Sequence, residues 1–117
     1  MTKIDNTFYG GFIVSNNILN GIPIRYSFRE PSSIEQLNGW TLYSEIDDSD
    51  YISDSNNFKI VNMETLYAIA TVFGELFSAP YGTDICWLYE ENVHVGFYDL
   101  TRDKEVSISE IVGANNN

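Results

Sequence analysis

The chain has 117 residues, 44% hydrophobic and 15% aromatic, enough apolar surface for one domain with its own core rather than a disordered segment. Its 17 acids against 6 Lys and Arg give a formal net charge of −11. That excludes capture of nucleic acid or an anionic membrane by a basic surface and steers basic proteins toward the chain. The one cysteine, Cys86, excludes an internal disulfide framework and thiolate zinc clusters.

The opening MTKIDNTFYGGFIV carries one cation, Lys3, and no apolar stretch of the kind that marks a secretory signal. No apolar run approaches bilayer length. The expected location is the cytoplasm. Gly10-Gly11 leads into Phe12-Ile13-Val14, a short buried strand. Ser15-Asn16-Asn17 caps a single turn at Ile18-Leu19, and Asn20-Gly21 reverses the chain. Residues 24–29 alternate: Ile24, Tyr26 and Phe28 on one face, Arg25, Ser27 and Arg29 on the other. Pro23, lacking a donor, belongs at the start of that strand.

In the connection over residues 30–39, Ser33 and Gln36 stand at capping-box spacing for one helical turn, with Gly39 as its stop. Trp40 to Ser44 alternates as a strand. Residues 45–57 form a polar, acidic loop with one helical turn near Tyr51-Ile52, and Phe58 to Val61 is a short strand. A main helix is expected over 63–77. Asn62 is its N-cap, Glu64 favours its first turn, and Leu66, Ile69, Ala70, Phe73, Leu76 and Phe77 make one apolar stripe. Residues 85–89 and 93–98 read as a hairpin, and 106–112 as a last strand or a short helix. The expected fold is α+β: a mainly antiparallel sheet of about five to six strands packed on one main helix. One domain covers 1–113, with a frayed tail at 114–117.

The densest chemistry lies in GWTLYSEIDDSDY, residues 39–51, with Glu45, Asp47, Asp48 and Asp50 close together. A calcium loop counted from Asp48 needs Gly sixth and Glu twelfth, where Ser53 and Lys59 stand, so no metal site is expected. Acid-base catalysis needs carboxylates in environments that separate their pKa values, which a solvated loop does poorly. His94 could serve Cys86 as a base only if the hairpin register put both on one face; a two-residue loop at Glu91-Asn92 would put them on opposite faces. No catalytic residue and no cofactor is expected. The aromatics mostly fill core positions, yet some must face solvent because each strand has two faces. Arg25 and Arg29 are expected to pair with the acids that follow Trp40.

The run from Val14-Ser15 through Arg29-Glu30-Pro31 and Gly39-Trp40 to the acidic segment ending in Tyr51 resembles a known family. It is similar to the bacterial immunity proteins of polymorphic toxin systems, formerly catalogued as a domain of unknown function. Eleven residues separate Arg29 from Trp40, and eleven separate Trp40 from Tyr51. The likeness covers about residues 10–82. Glu45 stands where that family tends to have Gly, Asp47 where it has Glu, and Leu37-Asn38 where it has an acid and Ser. The resemblance implies an α+β domain, not an enzyme, that neutralises a cognate toxin, often a nuclease. An acidic domain suits a basic toxin of that kind. The partner-binding candidates are Glu45, Asp47, Asp48 and Asp50, with Trp40 or Tyr51 as aromatic anchors. Two alternatives stand beside this: a small-molecule or enzymatic pocket lined by aromatics and carboxylates, and a scaffold domain, monomeric or dimeric through a strand edge.

Overall fold

The computed structural model describes residues 6–113, so the tail at 114–117 lies outside the described residues. The strands are β1 (Gly11–Ser15), β2 (Ile24–Arg29), β3 (Leu37–Ser44), β4 (Phe58–Val61), β5 (Asp84–Glu90), β6 (Val93–Asp99) and β7 (Lys104–Val106). They form one seven-stranded sheet in the order β4-β1-β3-β2-β5-β6-β7. Among them lie α1 (Asn6–Tyr9), α2 (Asn16–Leu19), α3 (Ser49–Ile52), α4 (Met63–Ile69), α5 (Phe73–Leu76) and α6 (Ile108–Gly113), with a 3-10 turn at Ser55–Asn57.

The α+β class is as expected, but the sheet is larger and mixed. Five of its six neighbour pairs are antiparallel, and β1 runs parallel to β3, with Ile13 opposite Thr41. The β2–β3 hairpin docks on β1 through its second strand, which sets that parallel pair. The strand beyond the expected number is β7, whose three residues are too few to show a period. The segment 106–112 is both of the readings it allowed, a strand end at Val106 and then α6. Ser107 and Glu110 form a capping box there: the Glu110 N–H donates to Ser107 Oγ (3.1 Å) and the Ser107 N–H to Glu110 Oε1 (2.9 Å).

The single helix over 63–77 is corrected to two. Ala70 leaves helical geometry (φ −142°, ψ 89°), and Ile69 is 43% exposed rather than part of a stripe. Ile69, Thr71 and Val72 are β-branched and weaken the helix locally. The break lets Phe73 pack edge-on to Trp40 at 5.2 Å and stack on Trp87 at 5.7 Å. The expected turn at 33–36 is not helical, and Gly39 lies inside β3 at φ +95°, where a Cβ would collide with the Glu30 carbonyl oxygen.

All helices but α3 pack on one face of the sheet. Its core joins Phe12, Val14, Trp40, Leu42, Ile85 and Trp87 to Ile18, Leu66, Phe73, Leu76 and Ile111. On β3 burial alternates strictly, so Trp40, Leu42 and Ser44 face the core while Thr41 and Tyr43 face the other side. On β2 the register shifts between Ile24 and Tyr26. Ile24 is buried in the core, whereas Tyr26 and Phe28 lie with Tyr43 on the opposite face; the expected common face for the three is corrected by this bulge.

Candidate functional site

The acidic segment forms an arch of short turns between β3 and β4, and its acids have separate tasks. Asp47 accepts hydrogen bonds from the Ser44 N–H (2.7 Å), Ser44 Oγ (2.6 Å) and Asn17 Nδ2 (2.8 Å), tying the start of the arch to α2. Burial pushes its carboxyl up, but these donors outweigh it and hold the group below the ordinary carboxylate value. Asp48 is the N-cap of α3 and accepts from the Tyr51 N–H at 2.8 Å. Asp54 caps the 3-10 turn in the same way through the Asn56 N–H.

Glu45 and Asp50 are exposed: the Glu45 N–H donates to the Pro23 carbonyl and the Asp50 carbonyl accepts from Ser53 Oγ, and among the described residues neither carboxylate takes part in a hydrogen bond or ion pair. Of the four candidate acids, these two are the ones whose carboxylates do not hold the arch together. Tyr51 is half-buried: its ring lies 6.0 Å from that of Phe58, and its hydroxyl donates to the Asn57 carbonyl. Trp40 is fully buried and cannot act as an exposed anchor. Among the described residues no group of three or more His, Cys, Asp or Glu side chains is placed to hold a metal ion.

Arg29 and Trp40 meet in the core instead. The Arg29 guanidinium donates to the carbonyls of Asn38 (2.9 Å), Phe77 (2.9 Å) and Ala79 (2.8 Å) and lies over the rings of Phe77 and Tyr81. Arg25 donates to the Trp87 carbonyl at 3.3 Å. The expected ion pairs with the acids after Trp40 are therefore corrected. Those acids are held by local hydroxyl, amide and backbone donors, and the carbonyls that end α5 offer Arg29 a set of acceptors that its planar fork fits.

The face of the sheet away from the helices carries a chain of rings. Tyr26 lies 5.5 Å from Phe28 and 5.7 Å from Tyr43, Phe28 lies 5.6 Å from Tyr43, and Tyr43 lies 5.6 Å from Phe58. The arch covers one end of this face and leaves a groove of about 500 Å³, whose lining includes Ile13, Phe28, Glu30, Tyr43, Ile52 and Phe58. A second hollow of about 350 Å³ adjoins it, shares Phe28 and Glu30, and adds Tyr26, Thr83 and Asp84. Burial raises the pKa of the Tyr26 hydroxyl, and its hydrogen bond to Asp84 raises it further; burial and the nearby Glu30 and Asp47 raise that of Tyr43. The signal for this face was present in the sequence as Tyr26 and Phe28 on one parity of β2 and Trp40 and Tyr43 on opposite parities of β3. The bulge that sorts them was not.

A cavity of about 500 Å³ opens on the helix side, beside the break between α4 and α5, with Ile69, Val72, Trp87, Tyr89 and His94 among its walls. The His94 ring lies 4.8 Å from Trp87 and 4.7 Å from Phe97, and its Nε2 bonds the Gly96 carbonyl at 2.9 Å. Burial pushes this imidazole down from its usual value. The hairpin turns on two residues, Glu91 (φ 51°) and Asn92 (φ 68°). Cys86 pairs with Tyr26 and Tyr98 across the outer face, so it does not face His94 and the two cannot act as nucleophile and base.

Comparison with the curated proteins and with the solved structures finds no match. The profile of the Immunity protein Imm33 domain matches residues 12–98, from the first core strand through the β5–β6 hairpin, including the Arg29–Trp40 junction, the acidic arch and the aromatic face. The chain belongs to the Imm33 immunity protein domain family.

Proposed function

We propose that this protein binds a cognate bacterial toxin, a basic enzyme of the nuclease type, and neutralises it by occlusion in the cytoplasm. The family carries the immunity role. The net charge of −11 supports the basic partner, because it draws a positively charged groove in and speeds the encounter. Glu45 and Asp50 stand on the outside of the arch as free contacts, while Asp47 and Asp48 hold its shape. The protein needs no chemistry of its own for this.

Co-expression with the product of the adjacent gene is the test. The expected result is a complex that survives purification, loses affinity as salt is raised, and abolishes the toxin's activity. A neighbouring product that is neither toxic nor bound would sink the proposal. A small-molecule site is the second reading, favoured by the cavity beside Trp87 and His94. A metabolite that changes tryptophan fluorescence in the wild type but not in a variant filling that cavity would support it.

A further inference from the structure

We propose that the toxin is gripped mainly on the open aromatic face of the sheet, in the two joined hollows that meet at Phe28 and Glu30, and that a segment presenting two Arg or Lys side chains enters them. This rests on the immunity reading and adds the surface and the chemistry of the partner.

The face is unusual for the solvent side of an antiparallel sheet, which ordinarily carries polar residues. Here it presents Ile13, Phe28, Tyr43 and Phe58, ringed on one side by the arch. Tyrosine-rich, concave and partly apolar surfaces are where a few residues carry most of the affinity of an interface. Glu30 is exposed between the hollows and Asp84 lines the second; Arg29 also lines the second, but its guanidinium is taken up by the carbonyls of Asn38, Phe77 and Ala79. The Asp84 carboxylate is hydrogen-bonded to the Tyr26 hydroxyl on one side, and its Oδ1 is buried without a hydrogen-bond partner among the described residues. Lys59, at the β4 end, is the one cation in the lining of the larger groove.

Aromatic walls beside carboxylates suit a guanidinium or ammonium group, which stacks on the rings and pairs with the acid. A second copy of this chain is the poorer occupant. It would set two acidic faces together on molecules that each carry a net charge of −11.

Three variants test this against the toxin domain encoded by the adjacent gene, held catalytically inactive and measured by calorimetry. Thr41→Arg places a cation on the groove floor without removing a ring. Glu30→Lys reverses the charge between the hollows. Glu75→Lys makes the same reversal at an exposed site on α5, on the helix side of the sheet. The expected result is a loss of roughly 30-fold or more for the first two, the size typical of a hot-spot residue, and only a small loss for Glu75→Lys. Hydrogen exchange on the wild-type complex removes dependence on how the variants fold, and should show protection over 26–30 and 41–43.

Binding unchanged by Thr41→Arg and Glu30→Lys, or protection confined to 45–54, would overturn this assignment while leaving the immunity reading intact. Absence of any wild-type complex would overturn both. A dimer in light scattering that Thr41→Arg converts to monomer would assign the face to self-association and overturn the proposal.

Discussion

Arg29 and Trp40 donate to the same acceptor, the carbonyl oxygen of Phe77, at 2.9 and 3.1 Å. Residues eleven apart in the chain thus close the end of α5, and each donor helps to place the other. The shared acceptor predicts coupling. Arg29→Met should cost roughly 2–3 kcal/mol, because carbonyls bound to a charged donor lose it inside the protein. Trp40→Phe should cost about 1–3 kcal/mol through the lost bond and the space left behind. In urea titrations the double variant should depart from the sum of the singles. Strict additivity would show that the Phe77 carbonyl does not link them.

Asp47 gives the fold an acid-sensitive joint. Its carboxyl titrates lower when folded than when unfolded, where the reference is 3.8. The folded state therefore holds the charged form more tightly. That stability is fully present above about pH 4 and disappears as pH falls through the folded value. Asp47→Asn should be less stable at neutral pH, and the gap from wild type should narrow below pH 4. A gap that stays constant down to pH 2 would rule out the charged form as the stabilising one.

His94 works in the same direction but nearer neutrality. Its folded pKa lies below the reference of 6.5, so the unfolded chain binds the extra proton first. Stability should fall as pH drops below 6.5 and level off once the folded imidazole is protonated. His94→Gln should remove that part of the pH profile in thermal melts. Trp87, 4.8 Å away, offers a fluorescence readout of the same titration.

The four acids of the arch should separate under charge reversal. Asp48→Lys removes the α3 N-cap and should cost about 1 kcal/mol of stability. Glu45→Lys and Asp50→Lys should change the melting temperature little. They should instead slow association with a basic toxin, most strongly at low salt. Equal melting temperatures for all four reversals, Asp47→Lys included, would contradict the division of roles described above.

The family was legible in the residues. The family likeness rested on Arg29-Glu30-Pro31, Gly39-Trp40 and the run to Tyr51, and the Imm33 match spans those positions. Short-range caps were readable as well: Asn62 caps α4, accepting from the Thr65 N–H at 2.9 Å. Ser107 and Glu110 carried the same kind of signal for α6. The pairing of Arg25 and Arg29 with acids was not readable correctly, because charge pattern names opposite signs without saying which groups come within reach.

Sequence alone determined the α+β class, the β5–β6 hairpin, the position of most strands and the acidic balance. These depend on period, turn chemistry and composition, which are local. Only the tertiary structure decided the parallel β1–β3 pair, the break of the helix at Ala70, and the bulge that puts Tyr26 and Phe28 on the open face. It also decided that Arg29 caps α5 rather than an acid. Each of these outcomes turns on contacts between segments far apart in the chain. Burial of Phe73 between Trp40 and Trp87 outweighs the small cost of breaking a helix at residues 69–72, three of which are β-branched.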